Sequence, residues 1–299
     1  MTWALVRKLL RDVRVAWIVV AVLIFLFQIL WARVTSRVTT QILTALQGAG
    51  LSLDFLQRVF MGPGEMIGQM IQAIIGGEKI ELDKPDNFMS ISYVHPLPLT
   101  MLGIWAIGRA ANAIAGEIER GTMELLLAQP IRRTQLIVAH LLVDAIVFPS
   151  LCVVMWLGTY CGTWWMGLQT LPPPTQSVDP MRFLPALMCV CGLLFAHSGV
   201  TMAISSLGRQ RARVWGWAIT IFLCMFLINV LGQIWDDQIG WIRPYTVHYH
   251  YLPQGIILHA DWYNSREAWL HLLVLSGVGA VGYAFAWVTF CRRDLPAPL

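Results

Sequence analysis

Six runs of apolar residues, each close to the length needed to cross a bilayer, dominate the 299-residue sequence. They are Ala16–Trp31, Ile91–Ala115, Leu136–Gly162, Phe183–Leu207, Val214–Ile234 and Trp269–Phe290. About 20 apolar residues in a helix cover a hydrocarbon core of about 30 Å. Lipid offers the backbone no hydrogen-bond partners, so a spanning segment must satisfy its own peptide groups. The chain is therefore expected to be all-α: a polytopic membrane protein of six transmembrane helices, forming one transmembrane domain over residues 1–299. Only 13% of its residues are charged, about half the share a soluble domain carries. Three of its 21 basic residues are lysines, Lys8, Lys79 and Lys84, which argues against a nucleic-acid partner. The cysteines sit inside apolar runs, as Cys152, Cys189 and Cys191 do, and read as small packing residues rather than a disulfide framework.

Basic residues in short flanks set the orientation. Arg7, Lys8, Arg11 and Arg14 precede the first run, which has no small-residue cleavage site and reads as an uncleaved anchor. Arg120, Arg132 and Arg133 lie between runs two and three, Arg209, Arg211 and Arg213 between four and five, and Arg292 and Arg293 after six. The alternate connections are poorer: Leu168–Arg182 holds one arginine and Pro172-Pro173-Pro174. Trp235–Ala268 sets Arg243 and Arg266 against Asp236, Asp237, Asp261 and Glu267. Both termini are expected in the cytoplasm, and the protein in the cell (inner, cytoplasmic) membrane as a multi-pass chain.

Two regions outside the runs have a pattern. Trp3, Val6, Leu10, Val13 and Trp17 share one helical face and Arg7, Lys8, Arg11 and Arg14 the other, which predicts an amphipathic interfacial helix over 1–15, flat on anionic headgroups before the chain turns into the membrane. The long external loop 32–90 predicts helical stretches at Val38–Leu46, Leu53–Phe60 and Glu65–Ile75, with a break at Gly62–Gly64 and a polar run Glu78–Asn87.

The most informative segment is the loop 116–134, GEIERGTMELLLAQPIRRT. Gly121 should break the helix leaving run two, and Thr122 should cap a short helix Met123–Ala128. Glu124 falls in its first turn, where the helix dipole favours a carboxylate. Pro130 disfavours helical geometry at Gln129, and Thr134 is placed to cap the third run. Leu125, Leu126 and Leu127 then ride on a short apolar helix framed by charge on both sides, as a docking surface for a soluble partner requires.

This loop resembles that of ABC-2 type transporter permeases: an acidic pair, a basic residue, Gly-Thr, an apolar helix, proline, then basic residues. The matching positions are Glu117, Glu119, Arg120, Gly121, Thr122, Glu124, Leu126, Leu127, Pro130, Arg132 and Arg133. His95-Pro96 opening the second run and the tail Arg292-Arg293-Asp294 are also similar to that family. The resemblance implies a permease that works with a second permease subunit, as homodimer or related chain, and with two copies of a separate ABC ATP-binding protein. It implies that the loop is a coupling helix seated on the ATPase, and that the assembly exports a substrate. It places ATP and Mg in the partner and no cofactor in this chain. The phosphate-binding pattern G-x-x-x-x-G-K-[ST] is absent, since no lysine follows a glycine.

Other chemistry has thinner support. His248, His250, His259 and Asp261 could hold a metal, but they lie among Tyr245, Tyr249, Tyr251 and Trp262, and an aromatic interfacial belt accounts for them. Gly277, Gly279 and Gly282 suit close helix packing. The ionisable groups inside the runs are a sharper lead. His140 and Asp144 share a face of run three, and Arg109 lies at comparable depth in run two, so an Arg109–Asp144 pair is expected, with snorkelling to the headgroups as the alternative. A membrane-embedded enzyme would have only His140, Asp144 and His197 to work with, and no catalytic frame. A non-transporting assembly factor or scaffold acting on an external partner would have the same sequence features as a transporter.

Overall fold

The computed structural model describes residues 2–49, 84–171 and 177–293, with side chains described outside 41–49. The expected elements Leu53–Phe60, Gly62–Gly64 and Glu65–Ile75, most of Glu78–Asn87, Pro172-Pro173-Pro174 and Asp294 lie outside these residues. Among the described residues every regular element is helical. Six helical segments are long and apolar enough to cross a membrane: Thr2–Thr40, Pro85–Glu119, Arg133–Trp165, Pro180–Leu207, Arg211–Ile234 and Arg266–Arg292, here spans one to six. Each contains the whole of the corresponding apolar run and extends it at one or both ends.

Span one departs from expectation. The helix Thr2–Ala49 is continuous, with no turn between an interfacial segment and a membrane segment. The reason is in the residues. Ala4–Arg33 contains no Gly, Pro, Ser, Thr or Asn, so nothing breaks the helix. The buried positions Leu5, Val6, Ala21, Ile24, Gln28 and Ala32, with Leu9, Leu10, Val13 and Trp17 packed against the core, form one stripe at helical spacing. The amphipathic face and the inner face of the span are the same face. Arg7, Lys8, Arg11 and Arg14 project outward as expected, whereas Trp3 is 66% exposed and leaves the apolar face.

Spans one and three run parallel. Trp17 Nε1 donates to Ser150 Oγ (3.0 Å) near one end, and Thr159 Oγ1 donates to Gln28 Oε1 (3.3 Å) further up. On either side of Thr159, Gly158 and Gly162, a G-x-x-x-G pair, lie so close to span one that an added Cβ would come within 2.9 Å of Phe25 O and 2.8 Å of Ala32 Cβ. Small residues at this spacing let helix backbones approach.

Spans four and six form the second parallel pair, and their contact is closer still. A Cβ on Gly199 would sit 2.2 Å from Gly279 O, and one on Gly282 2.3 Å from Gly199 C. Gly277 has open space around it, so two of the three span-six glycines marked by the sequence make the contact. Span two is built in pieces. Pro85–Val94 and Pro96–Ala111 are separated at His95, whose extended backbone lets Nδ1 accept from Leu97 N (3.2 Å). A π-turn at Asn112–Gly116 follows. Span five is peripheral, burying only Val214, Ala218, Phe222 and Gly232.

The ends that carry the arginines meet one another. Arg133 Nη1 donates to the carbonyls of Phe290 (3.0 Å) and Arg293, and Arg293 Nη1 donates to those of Ser206 (2.8 Å) and Gly208 (3.0 Å). These cations stand at the carbonyl ends of spans six and four, where the helix dipole favours them. At the opposite end the segment 235–265 folds back over the bundle: Tyr251 Oη donates to Tyr93 O (2.5 Å) and Gln254 Nε2 to Ser90 Oγ (3.2 Å).

The glycine contact yields a direct test. Gly199→Ala should destabilise the solubilised protein by ~1–3 kcal/mol or more, since its Cβ would overlap backbone that has no room to move, whereas Gly277→Ala should be close to neutral. Thermal melting followed by size-exclusion in detergent checks both, and equal melting of the two variants would mean the helices are not in backbone contact.

Candidate functional site

Two sites follow from this frame, a buried polar cluster inside the bundle and the loop at its arginine-rich end. In the cluster, Arg109 of span two forms an ion pair with Asp144 of span three, both buried. Four spans supply it. Asp144 Oδ2 accepts from Ser198 Oγ of span four (2.5 Å) and from Tyr283 Oη of span six, and the two hydroxyls lie 3.1 Å apart. Arg109 Nη2 also donates to Tyr283 Oη (3.3 Å) and to the His140 carbonyl (3.3 Å), and Nη1 stands 3.3 Å from His140 Nδ1. The guanidinium carries N–H donors and no acceptor, so His140 must offer Nδ1 as the acceptor in this contact.

Burying a charged pair costs several kcal/mol per ion unless the geometry is close and the remaining lone pairs are filled. Here Ser198 and Tyr283 fill one carboxylate oxygen while Arg109 faces the other. The sequence pointed to Arg109, His140 and Asp144. Ser198 and Tyr283 it did not mark, though each is the neighbour of a close-packing glycine, Gly199 and Gly282, and the glycine contact is what presses them together. Beside the cluster a cavity of about 560 Å³ opens sideways between spans three, four and six. Leu141, Phe148, Met188, Phe195 and Leu273 line it and Asp144 borders it.

In the loop, Gly121 adopts the left-handed conformation (φ 69°) that glycine tolerates best, and a helix follows at Thr122–Leu127. Thr122 does not cap that helix. Its hydroxyl ties back to the carboxylate and carbonyl of Glu117, which also pairs with Arg120 at 2.5 Å. The helix ends at Leu127, before Pro130 is reached. Thr134 does not cap span three either: Gln135 Oε1 accepts from Arg132 N (2.9 Å), while Thr134 Oγ1 accepts from Trp287 Nε1 (3.2 Å) of span six.

The loop residues divide by direction. Glu119 Oε2 accepts from Arg211 N (2.8 Å) at the start of span five. Arg133 is turned onto span six, with its guanidinium 5.6 Å from the Phe290 ring centre. Leu127 packs on the core and Leu126 is half-buried. Arg120, Glu124, Pro130 and Arg132 are exposed, and Leu125 is the apolar residue that projects, 70% exposed.

The histidines His248, His250 and His259 do not converge. His248 lies within the bundle against Phe226 and His197. His250 Nδ1 meets His271 Nδ1 at 2.8 Å and its Nε2 bonds Pro244 O at 2.9 Å, while His259 Nδ1 bonds Gly255 O at 3.0 Å. Among the described residues no group of three His, Cys, Asp or Glu side chains could hold a metal. The aromatic belt is partial, since Tyr251 is buried while Tyr245 is 78% exposed.

Removing one member of the buried pair leaves an uncompensated charge, so Arg109→Ala and Asp144→Ala should each destabilise by about 3–5 kcal/mol. The double variant should lose less than the sum, and strictly additive melting shifts would mean the two charges do not interact. A pH effect follows from His248. Burial holds it down to about 4, against about 6.5 in an unfolded chain. Between those values the unfolded state binds more protons, so stability is full above about pH 6.5 and falls as pH drops toward 4. His248→Gln should flatten that slope in melting curves recorded from pH 7.5 to 5, and an identical slope would place the response elsewhere.

No curated protein matches the sequence. A family model described as ABC-2 family transporter protein matches residues 3–295, nearly the whole chain and both sites. The chain belongs to the ABC-2 transporter family and is a multi-pass permease of that class.

Proposed function

We propose that this chain is the transmembrane permease subunit of an ATP-binding cassette exporter, driven by two copies of a separate ATPase and paired with a second permease subunit. Family membership makes the chain a transport component. The observation that carries the finer reading is the loop helix Thr122–Leu127. It is held to the bundle by Met123 and Leu127, yet leaves Leu125 exposed, along with the charged Glu124, Arg120 and Arg132. An apolar side chain held out on a short helix within a charged ring suits a groove on a soluble subunit, with the leucine as anchor and the charges as rim. With the arginine-rich end in the cytoplasm, that subunit is the ATPase.

Span five and the outer face of span one support the pairing. Trp217, Leu223, Leu227 and Leu231 on span five, and Ile18, Val22, Leu26 and Leu30 on span one, are exposed apolar side chains. These faces suit a second permease or lipid, and a path between two permeases would lie along them. The lateral cavity beside Asp144 gives a membrane-borne substrate a second approach to the interior. An assembly factor that passes force to an external partner would use the same loop, and substrate-stimulated ATP hydrolysis separates the two.

The test follows the exposed face. Glu124→Arg with Leu125→Asp should reduce co-purification of the ATPase at least tenfold while the permease elutes unchanged from size-exclusion. A complex that survives both changes intact would remove the coupling assignment. Glu119, whose carboxylate is engaged with span five, should affect activity more than ATPase binding.

A further inference from the structure

The π-turn in span two lies between Arg109, in the helix Pro96–Ala111, and Glu117, where the loop begins. A π-turn holds one residue more than the α-turn it replaces, and helices depart from the α ladder where another group enters it. The group that enters here is the hydroxyl of Ser205 on span four. Its oxygen accepts from Ala115 N at 3.0 Å and donates to Ala111 O at 3.2 Å. In an α-helix those two backbone groups would bond each other. One hydroxyl, with one proton to give and lone pairs to receive, satisfies both.

The surroundings keep it there. Ser205, Ala111 and Ala115 are 0% exposed, so the insertion is screened from solvent. Ala111, Ala115 and Val214 of span five form one apolar contact. Gly208 closes it, since a Cβ at that position would stand 2.5 Å from Val214 Cγ2. Asn112 Nδ2 ties to Gly108 O (2.9 Å), steadying the turn before the insertion.

We propose that Ser205 is a positioning residue for coupling: by holding the π-turn open, it sets the direction in which the loop 117–133 leaves the bundle. Its functional meaning rests on the coupling reading above; its geometry does not. Closing the turn to α would re-register everything after it by one residue, a rotation of about 100°. The loop carries Glu119, bonded to the first residue of span five, so the rotation would release span five or drag it along. Displacement of span four against span two thereby becomes rotation of the loop, and rotation of the loop imposed by an ATPase displaces span four.

Spin labels at Leu125→Cys and Leu142→Cys, both exposed, report the loop direction. The chain is held in nanodiscs, with Cys161, Cys191, Cys224 and Cys291 replaced by alanine. Ser205→Ala removes the inserted hydroxyl and should shift the label distance by ~5 Å or more, half the width of a helix. Deleting Ala113 in that background removes the extra residue, restores α register and should return the distance to the wild-type value. An unshifted distance in Ser205→Ala, or a shift that the deletion does not reverse, overturns the proposal. Should Ser205→Ala fail to fold, a double variant that folds with the wild-type distance supports it, and one no better folded overturns it. Any ATP-binding protein that co-purifies with the wild-type chain is measured on the same variants. If none does, the coupling reading falls while the label distances still decide the hinge.

Discussion

The backbone contact between Gly199 and the pair Gly279 and Gly282 is the constraint around which the interior is arranged. Lipid gives helices no hydrophobic reason to associate, so close van der Waals packing and interhelical hydrogen bonds must supply it. With no Cβ between them, spans four and six approach until the residues flanking the glycines, Ser198 and Tyr283, lie within hydrogen-bond distance. That pair of hydroxyls is then available to the Asp144 carboxylate, and Asp144 in turn holds Arg109. A bulkier residue at 199 would act on the packing first and on the buried charge as a consequence. The polar cluster and the apolar packing are thus one structure seen from two sides.

The arginine-rich end is organised by helix termini. Arg133 closes the carbonyl end of span six, Arg293 that of span four, and Glu119 the amide end of span five. Each contact puts a charge where the peptide dipoles favour it. The loop between spans two and three therefore touches spans five and six directly, and span four through Arg293. A push on the loop is shared across most of the bundle rather than delivered to the two helices it joins.

Hydropathy alone located all six spans, because the bilayer imposes a length and a polarity that no tertiary context overrides. The loop was legible for a related reason: Gly121 and the flanking charges act locally. Contacts made across the bundle were not. The pattern makes Thr122 and Thr134 caps of their own helices, yet the Thr134 hydroxyl serves Trp287 across the bundle and that of Thr122 ties back to Glu117 within the loop. Arg133 and Glu119 belong to the expected docking set, and only tertiary structure shows them bonded to spans six and five. Gly158 and Gly162 carried a visible G-x-x-x-G spacing, though not the identity of the helix they would meet. The continuity of the first helix was hidden for a different reason. Amphipathicity identifies an inner face but not whether lipid headgroups or a neighbouring helix covers it.

Gln28 has a bearing on how such a chain is made. It is fully buried in the second half of span one, and the partner of its carbonyl oxygen is Thr159, 131 residues later in the sequence. At ribosomal speeds of about 5–20 residues per second, the first helix precedes that partner by on the order of ten seconds. During that interval a primary amide must be sheltered by the insertion machinery, or satisfied by water drawn into the membrane, until span three arrives. The Gln28 oxygen finds a protein partner only when span three packs on span one, so along this chain the order in which helices are made differs from the order in which they pair.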